Sequence, residues 1–534
     1  MSAPELRPYQ RETIDAVIAA RRRGVRRMVV CLPTGAGKTV IFSQLARMAT
    51  KQVLVLAHRE ELLGQARDKL ERALEGTRVV ALERGSERAS ADAKVLVASL
   101  RSLRADRLGQ LLAGRDLGLV IYDECHHAPA DDNLRVLRQL GAFERDWPGT
   151  LLGFTATTAR GDGKGLDQVF ERIVYAKTLP ELIDAGYLAP LKGFRIDTAA
   201  DLTRIAPGVS DFPEAELAEA VDIEDRNALV ARSIQELARD RRTIAFCVTV
   251  NHARNLSRAL NAVGVPAGIV HGAMAAADRA TALAEFRAGR TQVIANVAVL
   301  TEGFDDPGVS CIAMARPTRS EGMYAQCIGR GTRLAEGKPD CLILDFVDVS
   351  TLSLCTLPSL FGCPRDLDLR GGDVAEARNT WLQLMLDHEG FELEAGALTL
   401  REIQDRAASF DPLTLAPNRD VRAISANAWF SLGRHGVGMH YERAPGRPST
   451  VTVLSRASRG KRWEIEIDGR TMDRFSSLEQ AVEAVDYEID QLGRAAAASA
   501  RDDAPWRNRR APGSNVTHAD ALRLVVWHAV MRQR

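Results

Sequence analysis

A chain of 534 residues is too long for one hydrophobic core and suggests about three or four domains. Hydrophobic residues at 46% and charged residues at 26% describe an ordinary soluble globular protein. The net charge of +1 means that no global field announces nucleic acid, so any such site must be a local patch. No run reaches the roughly 18 apolar residues of a membrane span, and Met1–Glu5 shows no apolar signal segment. Eight cysteines include no CxxC pair. Cys31, Cys247 and Cys311 sit in apolar strand-like runs, where cysteine serves as a small core residue. The expected compartment is reducing, hence the cytoplasm.

Leu6-Arg7-Pro8-Tyr9-Gln10 leads into a helix carrying Ile14, Val17 and Ile18. The Gln10 amide has a donor and an acceptor that can read an adenine edge. Next comes an apolar run, Met28 to Cys31, then Leu32-Pro33-Thr34-Gly35-Ala36-Gly37-Lys38-Thr39, then a helix-like run from Val40 to Met48. Strand, glycine loop and helix make a phosphate cradle, because backbone N–H groups converge on an anion at the helix N-terminus. Lys38 supplies a point charge for the terminal phosphates of a nucleoside triphosphate, and the Thr39 hydroxyl can ligate Mg²⁺. The strict phosphate-loop pattern has glycine where this chain has Leu32.

Apolar runs at 28–32, 53–57, 95–98, 119–122 and 151–154 alternate with helical stretches. That pattern predicts a parallel sheet covered on both faces, with active residues at the carboxyl ends of strands. Ala57-His58-Arg59-Glu60-Glu61-Leu62, Ser99-Leu100-Arg101, Asp123-Glu124-Cys125-His126-His127 and Thr155-Ala156-Thr157 all fall there. Asp123 suits Mg²⁺, and Glu124 suits orienting and deprotonating the attacking water. His126 and His127 are adjacent and have no cysteine pair to complete a tetrahedral zinc set; coupling to another lobe is the better role for His126. Gly161–Gly165 is glycine-rich with no strand directly before it, and reads as a mobile surface loop.

A second set of runs, at 243–248, 268–270, 293–297, 310–314 and 341–345, predicts another such sheet without its own cradle. Gln326-Cys327-Ile328-Gly329-Arg330-Gly331-Thr332-Arg333 follows. On a helix, Gln326, Arg330 and Arg333 share one face, and two permanently charged forks can reach the γ-phosphate. The two glycines suit close backbone approach between lobes. Val248-Thr249-Val250 and Arg316-Pro317-Thr318-Arg319 sit at strand ends, where they can grip phosphates of a nucleic-acid strand.

PTGAGKT, DECHH, LRPYQ, HREEL and TAT, in combination, resemble a superfamily 2 helicase of the DEAD/DEAH-box class. The DECH box places the resemblance near the XPB/Ssl2-like, RadD-like and type III restriction-subunit branch. Thr158 stands where relatives have proline. The resemblance covers about 350 residues and implies two tandem RecA-like domains, 1–187 and 188–350, that close on ATP and Mg²⁺. Pro33 to Thr39, Gln10, Gly303 and Asp305 are then nucleotide-binding, and Leu300–Asp305 is the motif that links nucleotide to strand. Arg59, Ser99, Thr249, Thr301 and Arg316 are the implied nucleic-acid contacts. The partner is nucleic acid, with DNA favoured and a single strand tracked through its backbone. The implied activity is an ATP-dependent helicase or translocase in repair or replication. A restriction-system motor subunit and a non-hydrolysing nucleic-acid-binding switch are the alternatives; intact Lys38, Thr39, Asp123, Glu124, Arg330 and Arg333 argue against the switch.

After the α/β core, residues 351–411 read as a helical connector and 412–493 as a small α+β module. Alternation over Ser449–Leu454 and Trp463–Asp468, with a turn at Asp468-Gly469, predicts antiparallel strands closed by a helix near 477–492. Trp429 and Trp463 read as core residues there rather than base-stacking platforms. Residues 494–515 read as a linker, and 516–534 as a C-terminal helix that docks on the body or on a protein partner. The cysteine-rich module of RadD-like relatives is missing from this stretch.

Overall fold

The computed structural model describes residues 6–57, 60–74, 78–85, 87–90, 92–100, 102–103, 105–156, 165–206, 208, 211–301, 304–387, 398–408, 421, 424–425, 427, 429–431, 436–444, 447–456, 462–467 and 470–489. The expected linker 494–515, the expected helix 516–534 and most of the Gly161–Gly165 loop lie outside them. The chain divides into two compact units, one ending near Asn379 and holding two parallel sheets, the other holding a small antiparallel sheet.

Seven strands build the first sheet: β1 (Arg27–Cys31), β2 (Gln52–Ala57), β3 (Val80–Glu83), β4 (Val95–Ser99), β5 (Leu117–Asp123), β6 (Thr150–Thr155) and β7 (Arg172–Ala176). All run parallel, in the order β3-β4-β2-β5-β6-β1-β7. Helices α1 (Pro8–Arg22), α2 (Lys38–Met48), α3 (Glu60–Leu74), α4 (Ala105–Leu112), α5 (Asp131–Gln139) and α6 (Leu179–Asp184) accompany it. Inner strands of a covered parallel sheet are apolar on both faces. Accordingly Met28, Val30, Leu54, Leu56, Val120, Tyr122 and Phe154 are all buried. The five apolar runs are β1, β2, β4, β5 and β6. The edge strands β3 and β7 were not among the expected runs, and in β7 Arg172 and Ile173 are exposed.

The second sheet has six parallel strands: β8 (Leu191–Asp201), β9 (Thr243–Phe246), β10 (Ala267–His271), β11 (Val293–Val297), β12 (Cys311–Met314) and β13 (Cys341–Val349). Their order is β10-β11-β9-β12-β13-β8. Helices α7 (Glu214–Val221), α8 (Glu224–Leu237), α9 (Val250–Ala262), α10 (Ala276–Arg287) and α11 (Glu321–Ile328) belong to it. Edge strand β8 carries Lys192, Arg195, Asp197 and Asp201, so composition hid it too.

One buried ion pair ties this lobe together. Arg226 of α8 donates to both carboxylate oxygens of Asp348 on β13, at 2.7 and 2.9 Å, and to the carbonyl of Ala315 at 2.9 Å. Both side chains are buried. His252, in the first turn of α9, is also fully buried, and its Nδ1 accepts from the N–H of Val248 at 3.2 Å.

A short parallel pair, β14 (Leu367–Asp368) and β15 (Leu398–Thr399), follows, with helices over Val374–Asp387 and Leu400–Ala408. The second unit holds an antiparallel sheet in chain order: β16 (Phe430–Ser431), β17 (Gly436–Ala444), β18 (Arg447–Arg456), β19 (Arg462–Ile467) and β20 (Arg470–Phe475). A helix over 478–489 contributes Ala481, Val482 and Val485 to the same core as Val437, Val451 and Val453. Trp429 is buried in that core, its indole N–H donating to Ser425 Oγ at 2.9 Å, and Trp463 packs against it. The core reading of both tryptophans therefore holds.

Removing one member of a buried pair strands the other charge. Asp348→Ala is expected to cost about 3–5 kcal/mol, read as a lowered thermal midpoint, while Arg226→Met with Asp348→Leu recovers most of it. A second expectation concerns pH. Burial, reinforced by Arg226 and opposed by Asp222, pulls the His252 imidazole from 6.5 down to about 4. Between those values the unfolded chain binds the extra proton and the folded one does not, so stability falls as pH falls through that window. His252→Gln should flatten the slope of thermal midpoint against pH there.

Candidate active site

Strand β1 ends at Cys31, and the loop from Leu32 to Gly37 turns into α2. Gly35 and Gly37 have φ of 87° and 74°, the left-handed region that only glycine enters at little cost. A Cβ on Gly37 would meet Gln10 Nε2 at 2.7 Å. The start of α1 buttresses the loop from behind: Tyr9 Oη donates to the Ala36 carbonyl at 2.6 Å, and Gln10 Nε2 lies 3.3 Å from the same oxygen. Gln10 Oε1 accepts from the Arg7 N–H at 3.1 Å. Leu32, where the strict pattern has glycine, is fully buried.

Two strands over from β1 in the sheet order, β5 ends in Asp123. Glu124 follows with φ 51° and ψ 52°, an unusual conformation for a residue with a Cβ, costing on the order of 1–3 kcal/mol. Its N–H donates to Asp123 Oδ1 at 3.1 Å. The kink turns the carboxylate toward the loop, where Oε1 lies 3.3 Å from Lys38 Nζ. Oε2 lies 3.4 Å from His126 Nδ1, which is 3.2 Å from Thr155 Oγ1 at the end of β6. His126 thus joins two motifs of its own lobe. Burial pushes the Glu124 carboxyl up, but Lys38, His126 and Arg330 together outweigh it and hold it below the usual carboxylate range. Burial likewise pulls Lys38 down, and Glu124 and Asp123 pull it further up. Both groups are therefore ionised.

The second lobe supplies the opposite wall. The helix expected through Arg333 stops at Ile328, with Gly329 as its C-cap, so Gln326, Arg330 and Arg333 do not share a helical face. The reason is steric. A Cβ on Gly329 would stand 2.6 Å from Thr34 Cβ of the phosphate loop, and one on Gly331 would stand 2.2 Å from Cys341 Sγ. The chain leaves the helix to pass between the loop and β13. The expected close approach between lobes is present here: besides Gly329 against Thr34, a Cβ on Gly35 would stand 3.0 Å from Thr332 Oγ1. Arg330 is buried and held by carbonyls: Nε and Nη2 donate to Thr301 O at 3.1 and 2.7 Å, and Nη1 to Phe304 O at 2.9 Å. Arg333 donates to Phe304 O at 3.0 Å and pairs with Asp305 at 3.1 Å.

Between these walls lies a cleft of about 590 Å³. Thr34, Gly35, Gly37, Lys38, Thr39, Asp123, Glu124, Asp305, Arg330 and Arg333 line it. Pro33, Ala36, Gln10 and Gln326 do not: all four are buried or turned behind it. The donor set fits a nucleoside triphosphate, with a glycine cradle, one floor lysine and two arginines facing it. Carboxylate and hydroxyl oxygens of Asp123 and Thr39 suit a hard divalent cation.

The sequence reading missed Lys69 of α3, whose ammonium pairs with Asp305 across the cleft. Nothing in its spacing separates it from the other cations of that helix, Arg67 and Arg72. Of the implied strand contacts, Arg59 lies outside the described residues, as does Gly303. Ser99 is fully buried and Thr301 nearly so. Arg316 pairs with Glu214 at 3.1 Å. Half-buried Thr249 caps α9, accepting from the His252 N–H at 3.2 Å.

Two family models match the chain: "Type III restriction enzyme, res subunit" over residues 3–160 and "Helicase conserved C-terminal domain" over residues 225–335. A Schizosaccharomyces pombe protein named as the mitochondrial ATP-dependent helicase irc3 is 36% identical over 440 residues, 81% of this chain and 71% of its own. The chain belongs to the superfamily 2 helicases. As a helicase of that family it is an ATP-hydrolysing enzyme. The Saccharomyces cerevisiae protein named ATP-dependent helicase IRC3 is 32% identical to this helicase, over 68% of this chain and 55% of its own length. A DNA 3'-5' translocase XPB2 of Sulfurisphaera tokodaii is 24% identical, over 65% of this chain and 82% of its own. No helix among the described residues is long and apolar enough to cross a membrane.

The Gly329–Thr34 contact generates a direct expectation for the helicase. Gly329→Val should lower kcat for ATP by about tenfold or more, because even a fraction of an ångström between arginine and phosphate is costly. The thermal midpoint should move far less, since each lobe keeps its own core.

Proposed function

We propose that this helicase moves along DNA, coupling ATP hydrolysis to stepping on one strand, in repair or replication. The observation that carries the reading is a cleft in which Lys38 and Glu124 of the first lobe face Arg330 and Arg333 of the second. Thr39 and Asp123 would hold Mg²⁺, which would supply positive charge against the phosphates. Glu124, ionised and kinked toward the loop, takes a proton from the attacking water. Arg330 and Arg333 stabilise the charge that develops on the transferred phosphoryl group.

Coupling has a physical route. Thr301 lies in the motif that links nucleotide to strand, and its carbonyl accepts two hydrogen bonds from Arg330. A shift of that guanidinium toward phosphate would pull on the main chain at Thr301 and Phe304. Of the remaining contacts, Arg59, Thr249 and Arg316 meet the strand through its backbone, while Ser99 is too buried to reach it, so affinity should fall with salt and vary little with sequence. The name of the XPB2 relative favours DNA. The match to a restriction-subunit model over residues 3–160 supports a second reading, the motor subunit of a restriction system. Eight unpaired cysteines fit a reducing compartment, for which we propose the cytoplasm; the fission-yeast relative is named mitochondrial.

The test is ATPase rate with single-stranded DNA, double-stranded DNA and RNA added separately. DNA should raise kcat for the wild type, and Glu124→Gln should lower it by about 10²–10⁴-fold while ATP still binds. Stimulation by RNA alone would overturn the DNA assignment, and no stimulation in any lane would overturn the motor.

A further inference from the structure

Besides Lys38, the cleft wall carries Lys69, Arg72, Arg330 and Arg333 against the carboxylates Asp123, Glu124 and Asp305. Asp305 is shared. Its Oδ2 takes the Lys69 ammonium from α3 of the first lobe, and its Oδ1 takes Arg333 Nε, 3.1 Å away. The two cations use different oxygens, so one can depart without displacing the other. Asp305 is about one-third exposed, and Arg333 is more enclosed, at 17%. Burial pushes the Asp305 carboxyl up, but Arg333, Lys69 and Arg330 outweigh it and keep it ionised.

An arginine that is to face phosphate must first leave its own carboxylate. A carboxylate abandoned in a half-buried cleft carries a desolvation penalty, and that penalty holds the arginine back. A second cation already in place on the same carboxylate removes most of it. We propose that Lys69 is a positioning residue for ATP hydrolysis: by holding Asp305, it lets Arg333 exchange that carboxylate for the phosphates. Lys69 touches no reacting atom in this scheme; it acts through Asp305. The inference rests on the reading of Arg333 as the phosphate-facing arginine.

The scheme is tested by a double-mutant cycle on ATP hydrolysis with DNA present. Lys69→Met leaves Asp305 with Arg333 as its remaining partner in this pair of contacts, so kcat should fall about three- to tenfold while KM for ATP moves less than about twofold. Lys69→Arg should keep the wild-type rate. In the Asp305→Asn background there is no carboxylate to hold the arginine back, and Lys69→Met should change kcat by less than about twofold. A residue that merely braced the lobes would cost the same factor in both backgrounds. Equal factors, or no loss on Lys69→Met in the wild type, would overturn the inference. Arg333→Ala separates the two levels. If it hydrolyses ATP at the wild-type rate, the arginine assignment itself fails and the Lys69 role falls with it. If Arg333→Ala is inactive and Lys69→Met is normal, the Lys69 role alone is wrong. Lys69 is one-third exposed, so thermal midpoints of its variants should match the wild type.

Discussion

Two opposite charges, Lys38 and Glu124, stand 3.3 Å apart in the floor of a cleft that is otherwise rich in cations. An ion pair taken out of water loses solvation that its own attraction only partly returns. What keeps the pair tolerable is the surrounding set: His126 beside the carboxylate, Asp123 beside the lysine, and Arg330 across the gap. Over the whole lining, Lys38, Lys69, Arg72, Arg330 and Arg333 outnumber Asp123, Glu124 and Asp305, which leaves a net positive field in the cleft. A polyanion held in the cleft would complete its electrostatic balance.

Sequence patterning exposed the parts of this design where chemistry and hydropathy coincide. β1, β2, β4, β5 and β6 are apolar because both their faces are covered, and the catalytic motifs begin where those runs stop. β7 and β8 stayed hidden because an edge strand is only half enclosed and tolerates Arg172 or Lys192; β3, behind the short run Val79–Leu82, was passed over. The end of α11 was hidden for another reason. Gly329 and Gly331 were visible, yet whether two glycines sit inside a helix or end it depends on what presses on them, and here that is Thr34 and Cys341 from distant parts of the chain. Lys69 was invisible because a lysine on an amphipathic helix looks solvated until its partner is known.

The glutamine ahead of the phosphate loop shows how a motif can serve shape rather than contact. Gln10 is buried behind the cradle with its oxygen on the Arg7 N–H and its nitrogen beside the Ala36 carbonyl. Tyr9 reaches the same carbonyl. The two side chains fix a loop whose own residues, Gly35 and Gly37, impose the fewest conformational limits of any amino acid. Rigidity comes from the neighbouring helix, and permissiveness from the loop itself.

Arg330 takes its hold on the cleft from the oxygens of Thr301 and Phe304, which belong to the main chain. Every amino acid carries that oxygen. Replacement of the side chain at 301 or 304 therefore leaves the acceptors in place, and mutational drift at those positions cannot erase the seat of the arginine. The anchoring is inherited with the path of the backbone, while only the guanidinium itself depends on the genetic code for its identity.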